Sequence, residues 1–592
     1  MGTLHCGFRV FATMTTILLP FSVIWPLLLA GMLQIPRLHT LALGLSPWAA
    51  FPALPIALFA ADHTIIELPW LLLGSEWGLD LTGRVFLVLT GVLWGLTCWH
   101  SRYHLPSTQQ ARFFSWFHLA LAGNIGLIVS LDMLSFYLFF TLMSFASYGL
   151  IAHTRSEQAW YAGKCYLILV ILGEAALFAA LILTASTCNT LLFETARPLL
   201  AQSEWLNTIL LLTWIGFGIK VGTIGLHVWL PLAHPAAPPP ASAVLSGIML
   251  KAGLLGWLRL LPLGETTLEN WGEWWMVLGL LATFYGALIG LTQRDAKTLL
   301  AYSSISQMGL LTAAVGLGLI VPHAWPQILT TILIYSLHHG FAKGALFMGA
   351  GMLLHAHPAS RKWLLTGLLL PALSLVGAPL TSGWLAKSLL KTQATHAPGY
   401  WEVLWQNLLP ASAVATALLM ARFVLLTTRI KNQPDNTLSA PDHKYFAPWI
   451  ILLLLITIIP MAVNWLDDFE ISHSLIINSL WPLILATLLF LYLHRQTTRN
   501  SPLGRRIAHL VIPPGDMLVF YEYGIRRILL WLNYLSNHEL PYWLLKIQHI
   551  FQRVPDLSIW STRLDQSEKF LSHWPIALCG LILLGIILAK FN

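Results

Sequence analysis

The sequence predicts an all-α polytopic membrane protein with about 14–16 transmembrane helices. The first observation behind this is composition: of 592 residues, 57% are hydrophobic and only 10% charged, with a mean hydropathy of +0.70. A soluble domain carries about a quarter charged residues, so this chain is built for lipid. The second is length, because a spanning helix needs about 20 apolar residues and such windows follow one another almost end to end. The third is where the charges sit. Arg and Lys gather in short loops and in the C-terminal third, as at Arg505, Arg506, Arg526 and Arg527.

The opening MGTLHCGFRVFATMTTILLPFSVIWPLLLAG holds an apolar run longer than a signal-peptide core, which predicts a retained first span at 9–31. Further spans are expected at 38–61, 82–100, 111–131, 132–153, 163–186, 205–227 and 242–263. They continue at 272–291, 300–321, 325–355, 363–391, 401–427, 447–466, 474–494 and 573–590. Two stretches interrupt this pattern. Residues 227–242, HVWLPLAHPAAPPPAS, carry Pro231, Pro235, Pro238, Pro239 and Pro240, and proline removes a backbone donor and clashes with the preceding turn. The second is Gly377-Ala-Pro379-Leu-Thr-Ser-Gly383, inside an otherwise apolar window. Irregular backbone at membrane depth is tolerated only inside protein or beside a hydrated cavity, and paired breaks point to a transport path. Between about 500 and 570 the character changes: YEYGIRRILLWLNYL and YWLLKIQHIFQRV, divided by Pro541 and Pro555, have the spacing of amphipathic helices lying along the membrane or against the bundle. Packing or partner contact is the role expected there.

The net charge of +8 flanks spans instead of forming a solvent-exposed stripe, which suits lipid headgroups and topology and argues against nucleic acid. The five cysteines, Cys6, Cys98, Cys165, Cys188 and Cys579, form no CxxC and no Cys/His metal spacing. No GxGxxG or P-loop follows a strand. No cofactor and no metal are expected.

Ionisable residues inside spans cost on the order of 3 kcal/mol each, so each calls for a reason. They are Glu174, Lys220, Lys251, Lys343 and Lys387, with His227, His234, His338 and His339 as titratable neighbours. A buried ammonium is penalised in its charged form, which makes these lysines candidates for reversible protonation. Histidine titrates near neutrality already. His339 and Lys343 stand four residues apart and share a helix face. The adjacent His338 and His339 project in different directions, with no carboxylate close in sequence, so that pair is not read as a metal site.

The segment KVGTIGLHVWLPLAHPAAPPPASAVLSGIMLKAGLLGWLR, from Lys220 through Lys251, resembles the signature of the antiporter-like, proton-translocating membrane subunits. These occur in respiratory complex I, energy-converting hydrogenases and multisubunit cation/proton antiporters. LDLTGRVF around 81–86, RDAKTLLAYSSISQMG (294–309), LHHGFAKGALFMGAG (337–351) and GAPLTSGWLAKSLL (377–390) fit in order and spacing, so the resemblance covers about 75–395. It implies a fourteen-helix core with two inverted five-helix repeats, each containing a broken helix. By motif, Lys220 falls on the lysine of the first broken helix and Lys251 on that of the next span. His338, His339 and Lys343 fall on the central relay, and Lys387 on the ionisable residue of the second broken helix. Members usually carry a glutamate in a helix reading F-W-E-L-M-S, paired with the first broken-helix lysine; here the chain reads Phe140-Thr141-Leu142-Met143-Ser144. An uncharged Thr141 cannot supply the opposite charge. Glu174, one helix later, is the expected substitute.

The expected organisation is N-terminal helices at 1–110, a first repeat at 111–263, a second at 264–430, and C-terminal helices with a final span at 431–592. The expected function is a proton-translocating, multi-pass subunit of a multisubunit complex in the cell inner membrane, working beside other membrane subunits and not catalytic by itself. One alternative is Na⁺ or K⁺/H⁺ antiport. Others are a proton-coupled partner of a soluble enzyme handling inorganic carbon, and a structural scaffold.

Overall fold

A computed structural model describes residues 2–61, 64–430, 443–466, 473–499 and 501–524, with Arg527 and Leu530. The span predicted at 573–590 and most of the amphipathic region lie outside the described residues. The chain opens with α1 (Gly2–Met32), α2 (His39–Leu45) and α3 (Ala53–Phe59). Sequence patterning made 38–61 one span. His39–Phe59 is long and apolar enough to cross as one span, although its helix is interrupted between α2 and α3, since Pro47, Pro52 and Pro55 cannot donate to a continuous ladder. A small antiparallel hairpin, β1 (Ile65–Leu68) and β2 (Ser75–Gly78), follows with Ile65 opposite Gly78. It was not foreseen among the helices, and it is pinned to the bundle by Asp132, whose carboxylate accepts from Glu76 N at 3.1 Å.

Next come α4 (Leu81–His104), α5 (Ser107–Val129), α6 (Met133–Ile151), α7 (Glu157–Cys188), α8 (Phe193–Leu200) and α9 (Leu206–Val221). Asp80, Asp132 and Ser156 start α4, α6 and α7 by accepting from backbone N–H groups three residues on, the capping that exposed first-turn donors need. After α9 the chain runs through α10 (Trp229–Ala236), α11 (Pro239–Val244) and α12 (Leu250–Leu260), the last two joined by a wide i→i+5 turn over Leu245–Met249. Then follow α13 (Glu269–Thr292), α14 (Ala296–Ile320), α15 (Trp325–Leu354), α16 (Pro358–Val376), α17 (Ser382–Gln393) and α18 (Tyr400–Thr428). The last described helices are α19 (His443–Leu466), α20 (His473–Thr498) and α21 (Pro502–His509).

Among the described residues ten helical stretches are long and apolar enough to cross a membrane, and Thr16–Met32 and Leu206–Val221 are shorter apolar ones. The protein is therefore a multi-pass α-helical membrane protein, with no sheet core among the described residues. Burial separates the bundle centre from its rim. The windows of α14 and of the α11–α12 stretch are wholly buried within the protein, whereas α7 and α18 leave more than half of theirs outside. Lys251 lies in the wholly buried α11–α12 stretch, and Glu174 lies on the inward face of α7, as the cost of ionisable groups in lipid requires.

Both interruptions are present. The second lies where the sequence placed it: α16 ends at Gly377 (φ +96°), Leu380 also has positive φ (62°), and Thr381 caps α17. The first begins earlier than the prolines suggested. α9 stops at Gly222 (φ +79°), and residues 222–228 are non-helical before α10. The proline run instead ends α10 and starts α11, with Pro239 at its first position, where a missing N–H costs nothing.

Candidate functional site

The first interruption frees backbone carbonyls at the end of α9. Trp229 fills one by donating its indole N–H to Ile219 O at 2.8 Å. Downstream, the i+4 partners of His234 and Pro235 are Pro238 and Pro239, which have no N–H. Ser242 Oγ donates to His234 O at 3.0 Å and Lys297 Nζ to Pro235 O at 3.3 Å. Lys297 was not singled out from sequence; its place in RDAKTLL was the available signal.

Lys220 sits in the last turn of α9, 2% exposed. Its ammonium donates to Tyr166 Oη at 2.9 Å and to Ser144 Oγ at 3.4 Å. The Tyr166 hydroxyl donates onward to Ser144 O at 2.8 Å. Glu174, two turns after Tyr166 on α7, accepts from Thr141 Oγ1 at 2.6 Å. The carboxylate thus lies against the very position where the family motif would place a glutamate. Lys220 and Glu174 do not touch as an ion pair; Ser144, a hydrogen-bond neighbour of both, stands between them. Glu174 Oε1 has no hydrogen-bond partner among the described residues.

The central group gathers on α11–α12, α14 and α15. Lys251 Nζ meets His339 Nδ1 at 2.7 Å and donates to Ser246 O at 3.2 Å. That approach needs bare backbone, because a Cβ on Gly340 would stand 2.9 Å from Gly247 O. Ser246 Oγ and Ser304 Oγ are 2.7 Å apart; Ser304 Oγ and Lys343 Nζ both donate to Leu300 O, at 3.0 and 2.8 Å. His339 and Lys343 share a face, as expected, but Lys343 binds that carbonyl and not the imidazole. His338 turns the other way, its Nδ1 2.9 Å from Ser382 Oγ and 3.3 Å from Ser374 Oγ. One helix therefore presents adjacent imidazoles to two neighbouring elements. Tyr335 continues the polar line by donating to Gln307 Oε1 at 2.7 Å, and Gln307 donates to Thr416 Oγ1 at 3.2 Å.

At the second interruption Lys387 Nζ donates to Val376 O at 3.0 Å, so the lysine itself caps the severed helix. Gly383 is sterically required: a Cβ there would lie 1.7 Å from Ser374 O and 2.7 Å from His338 Cε1. His227 lies in the first interruption, fully buried. His234 stacks on Phe347 (centroids 4.6 Å) with neither ring nitrogen hydrogen-bonded among the described residues. Sequence reasoning missed Tyr166, Ser144, Ser246, Ser304, Ser374, Ser382 and Gln307. It also missed a separate group in which His104 Nδ1 lies 3.1 Å from the Tyr445 hydroxyl and His100 stacks on His104 (centroids 5.1 Å).

A multi-pass helical bundle with two interrupted helices, each ending beside a buried lysine, and further lysines and histidines between them defines an antiporter-like transmembrane unit. Residues 130–409 match the family described as NADH:quinone oxidoreductase/Mrp antiporter, TM. The chain is 30% identical over 355 residues to hydrogenase-4 component B of Escherichia coli (strain K12), covering 57% of this chain and 50% of the relative. It is 29% identical over 423 residues to Na(+)/H(+) antiporter subunit A1 of Staphylococcus aureus, covering 64% of this chain and 52% of the relative. It spans about half the length of these two relatives. In fold it resembles a chain of the Mrp complex from Dietzia sp. DQ12-45-1b, with a TM-score of 0.72 at 19% identity, over 90% of this chain and 61% of the other.

Proposed function

We propose that the chain is a proton-translocating subunit of a multisubunit ion-transporting, respiratory or hydrogenase-like complex in the cell inner membrane. Protons gain access near Lys220 and Glu174, pass Lys251 and the His338, His339 and Lys343 group, and leave beyond Lys387, with His227 and His234 as titratable neighbours of the first interruption. The observation that carries this is the pair of adjacent histidines on α15. His339 contacts Lys251 on the side of the first interruption, and His338 contacts Ser382 on the side of the second. Two repeats, 111–263 and 264–430, would each contribute one broken helix to the axis.

Buried polar atoms are nearly always satisfied by protein or water. The Nε2 atoms of His338 and His339 and Oε1 of Glu174 have no partner among the described residues, so water is the natural bridge where side chains do not meet. Each group changes charge when it gains or loses a proton, and that change biases its neighbour. The test is proton flux into proteoliposomes holding the complex purified with its native subunits. Lys220→Met and Lys387→Met should each bring flux to the level of empty vesicles. Wild-type flux in both variants would overturn the proposal in favour of a scaffold.

A second reading, Na⁺ or K⁺/H⁺ antiport, rests on the relative named a Na(+)/H(+) antiporter subunit. Running the same assay with and without each cation separates the two: flux that stops without Na⁺ or K⁺ supports antiport, and flux indifferent to both supports proton translocation alone.

A further inference from the structure

The C-terminal segment, where sequence showed no chemistry, returns to the first interruption. After α21 the chain turns through Gly515 (φ +74°), and Asp516 enters the bundle with its side chain 8% exposed. Tyr302 on α14 donates its hydroxyl to Asp516 Oδ1 at 2.9 Å, and Tyr285 on α13 donates to Oδ2. His227, in the gap between α9 and α10, places Nε2 3.6 Å from Oδ1. Its imidazole lies edge-on to the rings of Tyr285 and Tyr302, at 5.3 and 6.4 Å between centroids. Tyr521, further along the same segment, is a titratable group that feels the Asp516 carboxylate. The loop is anchored by Gln293 Nε2 donating to Ile512 O at 3.0 Å, and Gly515 lies against Leu232 of α10.

Three helical elements and a segment more than 100 residues beyond the matched family stretch thus converge on one carboxylate and one imidazole. Neither His227 nitrogen has another partner among the described residues. We infer that His227 and Asp516 form a proton-exchange site at the first broken helix, in which the C-terminal segment supplies the counter-charge for the imidazolium. This rests on the proton-translocation reading above. The chemistry is one uptake and one release: the neutral imidazole takes a proton from hydronium on the access side and leaves water, the carboxylate stabilises the resulting cation, and the cation returns the proton to water on the Lys220 side as hydronium. Burial pushes the Asp516 carboxyl up, but the neighbouring His227, Tyr285 and Tyr302 outweigh this and hold it below the ordinary aspartate range.

Removing an opposite charge shifts a neighbour's titration by about one to three pH units. In the full complex in proteoliposomes, Asp516→Asn should lower flux at neutral pH roughly ten-fold and move the pH of half-maximal flux acidwards by about one unit. Asp516→Glu, which keeps the charge, should recover most of the flux. An Asn variant with wild-type flux and pH profile, or one that Glu fails to rescue, overturns the inference. Should the Asn variant not assemble, Tyr302→Phe weakens the carboxylate's hold while leaving the Gln293 anchor; reduced flux supports the site and wild-type flux overturns it. Lys220→Met is run alongside. If it too transports like wild type, the pathway itself falls; if it is silent while Asp516→Asn is normal, only this site falls.

Discussion

The two broken helices solve the same backbone problem with different charge settings. At the first, Lys220 is held by Tyr166 and Ser144, with Glu174 one hydroxyl away and Asp516 across the gap beside His227. At the second, Lys387 on α17 is held by the carbonyl of Val376, left open where α16 ends. The first lysine therefore has a carboxylate that can change charge one hydroxyl away, whereas the second is held by a dipole that cannot. A carboxylate near a lysine stabilises its charged form, and withdrawing that carboxylate's charge releases the proton.

The sharpest way to break this contrast is to move the carboxylate. Glu174→Gln should cut proton flux to near background, an effect as large as losing Lys220, because the first lysine then has only neutral partners. Adding Thr141→Glu to that variant should restore flux, since Thr141 Oγ1 already lies 2.6 Å from the carboxylate position. Unchanged flux in Glu174→Gln would show that Lys220 needs no carboxylate and that the two interruptions are alike. Next in size is Gly383→Ala at the second interruption. Its methyl group would collide with Ser374 O and crowd His338, and overpacking of this kind costs about 1–3 kcal/mol. A thermal unfolding scan in detergent should show the loss, and a neutral result would mean that the α16–α17 gap is loose. Ser382→Ala, which removes the nearer hydroxyl from His338 but leaves Ser374 at 3.3 Å, should lower flux only about five-fold, in line with the roughly 1 kcal/mol net worth of one hydrogen bond.

What sequence could show follows the same contrast. Lysines and glutamate in apolar windows stand out because lipid makes them costly, so Lys220, Lys251, Lys343, Lys387 and Glu174 were legible one by one. The second interruption was legible because Gly377 and Pro379 lie in the break itself. The first was displaced by its prolines, since Pro239 opens a helix as readily as proline ends one, and the actual stop is Gly222, an unremarkable glycine among many. The hydroxyl relay was hidden for another reason. Serine in a helix ordinarily bonds its own preceding turn, as Ser304 does with Leu300 O, and nothing local says that Ser304 also meets Ser246. Asp516 was hidden by distance, outside every predicted span, where a carboxylate needs no explanation.

The smallest effect concerns that segment and carries the sign of its carboxyl. Asp516 is held below its ordinary range by His227, Tyr285 and Tyr302 despite its burial. A carboxyl with a depressed folded-state pKa adds stability that is complete above its unfolded value, about 3.9, and that fades as pH falls through the lower folded value. Docking of residues 510–524 should thus be indifferent to pH across the neutral range and weaken only in strong acid. Hydrogen exchange of the backbone around Ile512 measures it, because the Gln293 anchor loosens with the loop. In Asp516→Asn the protection should be lower at neutral pH and lose its acid-side fall. If protection in the wild-type chain declines already between neutral pH and about pH 5, within the range where histidine titrates, the titrating group is not this carboxylate. The imidazole of His227 would then be the group that sets the docking, and the first interruption would answer to the pH of its own surroundings before any proton reached Lys220.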